Sequence, residues 1–154
     1  MNGLELLKED HRKVQGLFKQ VRATENERQH KQLCKKIKTE VETHTYIEEK
    51  VLYPTLKKYD EFREMAFEAI EEHLQAKTLL RDIDRLSDGS ERFEAKLMVL
   101  MESVEHHIGK EEGEMFPEVE RRFSEEQLEE LGKELEIAKK EFGKKPRAKA
   151  ASSR

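Results

Sequence analysis

The sequence predicts an all-α protein: an up-down-up-down antiparallel four-helix bundle with a short fifth C-terminal helix. Three observations predict this fold. Charged residues make up 42% of the chain and hydrophobic residues only 35%, which suits amphipathic helices with long solvated faces. Glycine and proline are few, at 7 and 3 residues, so little in the chain interrupts helices. The chain also repeats a motif after 63 residues, which indicates two copies of one unit.

The repeated motif contains a His-x-x-x-Glu pair and ends with an aromatic residue and a proline. Residues 44–54 read His-Thr-Tyr-Ile-Glu-Glu-Lys-Val-Leu-Tyr-Pro, and residues 107–117 read His-Ile-Gly-Lys-Glu-Glu-Gly-Glu-Met-Phe-Pro. A lone histidine precedes each copy, within Glu-Asp-His at 9–11 and Glu-Glu-His at 71–73. Each half of the chain is therefore predicted to supply one lone histidine and one His-x-x-x-Glu pair.

Four segments carry apolar residues at alternating spacings of three and four, which is the period of one helix face. They cover about residues 3–23, 29–54, 60–86 and 90–117. The second segment is expected to end or kink near Pro54, and residues 87–90 are predicted to form the turn before the fourth. Ser90 is the predicted N-cap of that fourth segment.

A fifth helix is predicted over residues 125–142. Ser124 and Gln127 form a predicted capping box at its start, and Gly143 is placed to end it. The apolar edge of this helix would lie against the outside or the end of the bundle, or at a subunit contact. The predicted organisation is a bundle domain over 1–123, an accessory helix over 124–142 and a basic disordered tail over 143–154.

Charge and cysteine content narrow the class of protein. The net charge of −4 combines an acidic body with the short basic tail, a pattern that does not indicate nucleic-acid binding. Cys34 is the single cysteine, which fits a reducing compartment, and no window approaches 18 apolar residues. The sequence predicts a cytoplasmic protein, a monomer or weak dimer, with no membrane or nucleic-acid partner and with its protein partner left open.

Six polar residues occupy the apolar stripes of the four segments. They are His11, His44, Glu48, His73, His107 and Glu111. In an up-down bundle these residues reach one level only if each turn lies midway between successive polar positions, because every helix rises ~1.5 Å per residue. The midpoints fall near residues 28, 60 and 91, beside independent turn or helix-start signals. We therefore expect the six side chains to converge in one layer of the core.

Such a layer predicts a metal site. Buried carboxylates are unfavourable without a compensating cation, and an i, i+4 pair points both of its side chains the same way. A single His-x-x-x-Glu pair is most often a surface pair, but two inward copies with two more inward histidines favour metal ligation. Two carboxylates could bridge two metal ions, and the nitrogen-rich set suits two Fe ions, with Mn or Zn as alternatives.

Neighbouring polar residues are expected to lie outside the ligand set. His30 is predicted near a turn or at the surface, and His106 beside the site or at an interface. Glu49 and Glu112 are expected to point away from the seam and to be solvated, with the orientation of neighbouring side chains as the alternative. Tyr53 is expected to line the pocket or its rim.

The order His, His-x-x-x-Glu, His, His-x-x-x-Glu resembles that of the hemerythrin-like, or HHE cation-binding, domains over about residues 3–122. The resemblance implies four antiparallel helices around a non-haem di-iron centre, bridged by carboxylates and, when oxidised, by an oxygen atom. Hemerythrins that carry O₂ have a fifth histidine, where this chain has Lys77. Their second bridging carboxylate is also one residue later, the position of Glu112 here. An additional open coordination position would favour reaction with an exogenous molecule over carriage.

The expected function is therefore that of a hemerythrin-like di-iron protein that binds or reacts with O₂, peroxide or NO, in redox sensing, protection or iron handling. The alternative is a metal-stabilised protein-interaction module without redox chemistry. Whether the protein is an enzyme stays open, and the activity in that case would be peroxide decomposition or an oxidase-type reaction.

Overall fold

The computed structural model of the chain describes residues 1–86 and 90–144. Its α-helices are α1 (Gly3–Arg22), α2 (Glu27–Ile47), α3 (Tyr53–Leu56), α4 (Asp60–Asp84), α5 (Glu91–Lys110), α6 (Phe116–Arg122) and α7 (Glu125–Lys144), and its π-helical turns are π1 (Glu48–Leu52) and π2 (Glu111–Met115). α2, π1 and α3 follow one another without a break, as do α5, π2 and α6. These described residues contain no strand, and the predicted all-α bundle is confirmed.

The core shows the up-down-up-down order directly. One apolar cluster, the proline-end cluster, contains residues such as Leu7, Leu52, Phe62, Phe116 and Leu135. A second, the opposite-end cluster, contains residues such as Phe18, Ile37, Leu80, Leu97 and Leu100. α1 and α4 start in the proline-end cluster and finish in the other, whereas α2 and α5 run the opposite way. The polar layer lies between the two clusters.

The helix starts follow the sequence signals. Asn26 caps α2 by accepting a hydrogen bond from the Gln29 N–H at 3.0 Å. Ser90 caps α5, as predicted, by accepting from the Phe93 N–H at 2.9 Å. Most of the turn predicted over 87–90 and most of the predicted tail lie outside the described residues.

Both π-helical turns occupy equivalent places in the repeat. Each starts at the glutamate of a His-x-x-x-Glu pair and ends just before the aromatic-proline pair, and the Tyr53 N–H bonds the Glu48 carbonyl five residues earlier. Proline has no N–H and crowds the carbonyl four residues before it, so a wider turn makes room for Pro54. The helix then ends at Leu56, as expected near Pro54, but the π-helical turn itself was not predicted.

Helix α7 lies along the outer side of α1, α2 and π1. Its predicted capping box is confirmed, with the Ser124 N–H donating to Gln127 at 2.8 Å and the Gln127 N–H donating to Ser124 at 3.1 Å. Gly132 permits a close approach to the N-terminus, because a Cβ there would lie 2.5 Å from the Met1 carbonyl oxygen. The expectation that Gly143 ends the helix is wrong, since α7 continues to Lys144. None of the described helices is long and apolar enough to span a bilayer.

Candidate metal centre

The six polar residues predicted from the repeat meet in one buried layer. Possible ligand atoms of His11, His44, Glu48 and Glu111 lie within 4.8 Å of one another, and so do those of Glu48, His73, His107 and Glu111. The two glutamates are common to both groups and are 0% and 2% exposed. α1 and α2 thus supply one pair of imidazoles and α4 and α5 the other, with the carboxylates between them.

The Nε2 atoms of the four imidazoles face the two shared carboxylates. His11 Nε2 lies 3.1 Å from Glu111, and His73 Nε2 lies 2.9 Å from Glu48. The i, i+4 partners are equally close, with His44 Nε2 at 3.0 Å from Glu48 and His107 Nε2 at 3.2 Å from Glu111. Two ligand atoms at ~2.1 Å from one metal and about a right angle apart would be separated by about 3 Å, so these spacings fit shared coordination.

The Nδ1 atoms of the same rings face outward, and each donates to a second carboxylate. The pairs are His11 with Glu112 at 2.6 Å, His44 with Asp10 at 3.1 Å, His73 with Glu49 at 2.7 Å and His107 with Glu72 at 2.6 Å. A carboxylate only accepts, so Nδ1 carries the proton and the neutral ring has its lone pair on Nε2. This arrangement is typical of metal-binding histidines in proteins.

A neutral ring in this layer would place an acceptor nitrogen against acceptor oxygens. Within the described part of the chain, His44 Nε2, His107 Nε2 and one Glu48 oxygen are buried without a hydrogen-bond partner. Only a proton or a metal cation between nitrogen and oxygen removes that repulsion. The donor set therefore fits bound metal ions.

The pKa values describe the metal-free alternative. Burial alone would lower the pKa of His44, but the Glu48 and Asp10 carboxylates raise it to about 10. Burial likewise opposes the rise at His107, whose pKa the neighbouring carboxylates of Glu111, Glu48 and Glu72 bring to about 12. The pKa of Glu48 is held well below its usual range by its imidazole neighbours, although burial would raise it. Without a metal, protons on imidazoles would neutralise the carboxylates.

The outward carboxylates include two residues whose role differs from expectation. Glu49 and Glu112 were expected to point away from the seam and to be solvated, with the orientation of neighbours as the alternative, and the structure shows the alternative, because each accepts from an imidazole N–H. Asp10 and Glu72 play the same part and were missed. The repeat contained the signal: an acidic residue precedes each lone histidine, and a second glutamate follows each His-x-x-x-Glu pair.

Tyr53 contributes a hydroxyl to the layer itself. This hydroxyl lies 2.6 Å from Glu111, 2.9 Å from Glu48 and 3.2 Å from His73 Nε2. Burial, then the nearby carboxylates, raise the pKa of Tyr53 well above its usual value, so the hydroxyl stays protonated as a donor. From the sequence, Tyr53 was expected only to line the pocket or its rim. A comparison of the two repeats could have singled out this hydroxyl. Tyr53 precedes Pro54, whereas the equivalent residue before Pro117 is Phe116, which has no hydroxyl.

The remaining predicted residues lie outside the layer. His30 is close to the turn after α1, as one alternative expected, and its ring bonds Glu94 at 2.8 Å and the Thr24 carbonyl at 2.7 Å. His106 is exposed on α5. Lys77 does not face the layer but donates to both oxygens of Glu49 at 3.1 Å.

A small cavity of about 30 Å³ adjoins the layer on the side of the opposite-end cluster. Its lining includes the four histidines and the apolar side chains of Val14, Val41, Ala76, Val104 and Ile108. A site needs roughly 10–15 Å³ to hold one water molecule. The space beside the imidazoles therefore suits a ligand of about two heavy atoms.

Comparison with known proteins agrees with the predicted family and fold. Residues 2–119 match the Hemerythrin HHE cation binding domain family. An uncharacterized hemerythrin-like protein of Schizosaccharomyces pombe is 30% identical over 133 residues, which cover 85% of this chain and 66% of that protein. A DNA nickase of Nostoc sp. is 27% identical over 139 residues, which cover 90% of this chain and 39% of that protein. The chain thus spans less than two thirds of both relatives.

A crystal structure of a hemerythrin HHE cation binding domain-containing protein from Mycobacterium kansasii superimposes with a TM-score of 0.77 at 26% identity, covering 92% of this chain and 87% of that one. The chain belongs to the hemerythrin HHE cation-binding family. The family and the His/Glu cluster together support metal-ion binding.

Proposed function

We propose that the protein holds two iron ions in the polar layer and binds or reacts with a small ligand there, namely O₂, peroxide or NO. His11 and His44 would hold one ion, and His73 and His107 the other. Glu48 and Glu111 would bridge them, because both belong to each candidate ligand group. The observation that carries the proposal is the set of imidazole Nε2 atoms facing carboxylate oxygens at 2.9–3.2 Å inside a buried core.

The metal pair would supply the redox chemistry, and the protein controls its surroundings. The outward carboxylates fix each ring, so that Nε2 stays directed at the layer. The Tyr53 hydroxyl, 2.6 Å from Glu111, is placed to donate a hydrogen bond to a carboxylate or to a ligand beside His73. The small cavity, of about 30 Å³, favours a diatomic molecule or one of similar size as the ligand.

The deciding experiment measures metal content and the optical spectrum of protein purified without oxygen, before and after air and then peroxide. The proposal expects about two irons per chain, one for each ligand group, and near-ultraviolet bands that change on oxidation. The His107→Ala variant should lose metal, whereas His106→Ala, next to it but exposed, should retain it. Zinc without a ligand-dependent spectrum would contradict the redox proposal and favour a metal-stabilised interaction module.

Steady-state peroxide turnover then decides between a binding protein and an enzyme. Sustained release of O₂ from peroxide by the iron-loaded protein would support a peroxide-decomposing activity, and a spectrum that changes once without turnover would support binding alone. DNA nicking is not part of the proposal, because this chain matches only 39% of the relative that carries that name.

A further inference from the structure

Each of the four outward carboxylates is held by a cation as well as by an imidazole. Arg12 pairs with Glu112, Lys77 with Glu49 at 3.1 Å, Lys110 with Glu72 at 2.9 Å and Lys139 with Asp10 at 2.6 Å. The layer is thus surrounded by four chains of histidine, carboxylate and cation. The carboxylates follow the sequence repeat, since Asp10 and Glu72 are equivalent, as are Glu49 and Glu112. The cations do not follow it.

Three of these cations lie on the same helix as the histidine that they support. Arg12 follows His11 on α1, Lys77 follows His73 on α4, and Lys110 follows His107 on α5. Among the four chains described, the His44 chain differs, because its cation Lys139 comes from α7. The polar layer is therefore connected to α7 through His44, Asp10 and Lys139.

The repeat explains why His44 lacks a cation on its own helix. The residue equivalent to Lys110 in the first half is Ile47, three residues after His44. Ile47 is fully buried in the proline-end cluster, which also contains the α7 residues Leu135 and Ala138. A lysine at position 47 would have to be buried there. The packing of α7 thus favours an apolar residue at position 47, and α7 itself provides Lys139 as the cation of the His44 chain.

The acceptor of Lys139 is the most buried of the four outward carboxylates. The Asp10 side chain is 4% exposed, whereas those of Glu72, Glu112 and Glu49 are 18%, 22% and 30% exposed. A buried carboxylate depends more on its direct partners, because water cannot replace them. Burial would raise the pKa of Asp10, but His44 and Lys139 hold it below its usual value.

We propose that Lys139 is a positioning residue of the metal centre, so that the docking of α7 fixes His44 and sets the affinity of the metal position held by His11 and His44. The position held by His73 and His107 does not depend on α7. This inference rests on the proposed metal centre. Helix α7 would then contribute to metal binding in addition to covering the apolar surface of the bundle.

The test compares Lys139→Ala with Glu141→Ala. Glu141 also links α7 to the bundle, through Lys50 at 3.7 Å, but both of these side chains are about half exposed and neither joins one of the four chains. Co²⁺ affinity of each variant is measured by competition with a chelator. Lys139→Ala should lower the affinity for one of the two Co²⁺ ions about 10-fold and leave the affinity for the other unchanged. Glu141→Ala should match the wild type, and Lys139→Arg should restore most of the lost affinity.

Two further measurements separate positioning from general loosening. In the Co²⁺-loaded protein, the Nδ1 proton of His44 should exchange faster with water in Lys139→Ala, whereas that of His107 should not change. Leu135→Ala, which loosens α7 while keeping Lys139, should weaken the binding of the same single Co²⁺ ion, because Leu135 is the α7 side chain that is fully buried against the bundle.

Equal Co²⁺ affinities in Lys139→Ala and Glu141→Ala would overturn the inference while leaving the metal centre intact. Equal weakening of both ions in Lys139→Ala would also overturn it, because that result indicates a structural effect. A wild-type protein that binds no Co²⁺ or iron would instead contradict the proposed function itself, and this inference with it.

Discussion

The two halves of the molecule share an inner layer and differ outside it. Residues 3–56 and 60–122 each supply two histidines and one shared glutamate from equivalent positions. Helix α7 packs mainly against the first half, while α4 and α5 leave Leu74, Met98 and Val99 about half exposed. The inner ligands are constrained by the geometry that two ions would need, whereas the surroundings of the two positions are free to differ.

The clearest difference between the halves lies one residue before each proline. Tyr53 brings a hydroxyl to 3.2 Å from His73. The equivalent Phe116 stacks on His11, with ring centroids 5.9 Å apart and planes at 2°. The two metal positions would therefore be chemically unlike: one adjoins a hydrogen-bond donor, and the other adjoins an apolar ring. Substitutions can test this difference between the halves, starting with the shared carboxylates and then moving to the residues around them.

The largest effect is expected from loss of a shared carboxylate. Glu111→Ala should abolish binding at both metal positions, because this side chain belongs to both ligand groups. Metal content after dialysis measures it, with Glu114→Ala as the control, since Glu114 lies in the same π-helical turn but is exposed. Retention of one tightly bound ion in Glu111→Ala would show that the halves bind independently.

Acidity should act in opposite directions on the metal-free and metal-bound protein. Without metal, the pKa of His44 is raised from 6.5 to about 10 and that of His107 to about 12, so the folded state holds protons that the unfolded state releases. Their stabilisation is complete below pH 6.5 and is lost as pH rises toward 10 and then 12. A bound metal replaces those protons, so its affinity rises with pH.

Thermal unfolding with and without Zn²⁺, from about pH 6 to about pH 9, measures this difference. The gain in Tm on metal binding should grow as pH rises. Metal added to the metal-free protein near pH 7 in weak buffer should also release protons. A gain in Tm that falls with pH would contradict the placement of the metal between imidazole and carboxylate.

Tyr53→Phe should have the next largest effect. It removes the donor that lies 2.6 Å from Glu111 and 2.9 Å from Glu48, and a hydrogen bond to a charged group contributes roughly 1.5–3 kcal/mol. The metal-free variant should lose about that much free energy of unfolding, measured by urea denaturation. In the iron-loaded variant the optical response to peroxide should change as well.

The reverse substitution, Phe116→Tyr, is the matched control for Tyr53→Phe. It adds a hydroxyl beside His11 in a fully buried position, so it should also destabilise the fold. It should not restore the peroxide response in the double variant. If it did, the two positions would be equivalent despite their different surroundings.

The features that could be predicted from the sequence followed from the helical spacing of apolar residues and from the repeated His-x-x-x-Glu motif. Apolar spacing located the helices, and the midpoints between polar residues placed His11, His44, His73 and His107 at one level. Glu49 and Glu112 were assigned mainly to solvent because an α-helical wheel turns them away from the seam. The π-helical turns begin one residue before these two glutamates, and an α-helical wheel does not describe that backbone.

Contacts that lie outside the repeat could not be predicted. Lys139 and Asp10 are 129 positions apart, and nothing local to either residue indicates their pairing. The sequence also left open where the fifth helix lies. The packing of α7 against α1 and α2 brings Lys139 to Asp10, and this packing is seen only in the structure.

The smallest effect is expected from Lys77→Ala, in the second half. Lys77 supports His73 through Glu49, just as Lys139 supports His44 through Asp10. The Glu49 side chain is 30% exposed, however, so water can replace the lysine, and an exposed ion pair contributes roughly 0.2–1 kcal/mol. Lys77→Ala should lower the free energy of unfolding by no more than that and change Co²⁺ affinity by less than about threefold.

The comparison of Lys77→Ala with Lys139→Ala then shows whether burial of the carboxylate decides the importance of its cation. Equal losses of Co²⁺ affinity would mean that the cation matters in both halves regardless of solvent. A larger loss in Lys139→Ala would mean that His73 is held through a water-accessible pair, whereas His44 is held through a docked helix.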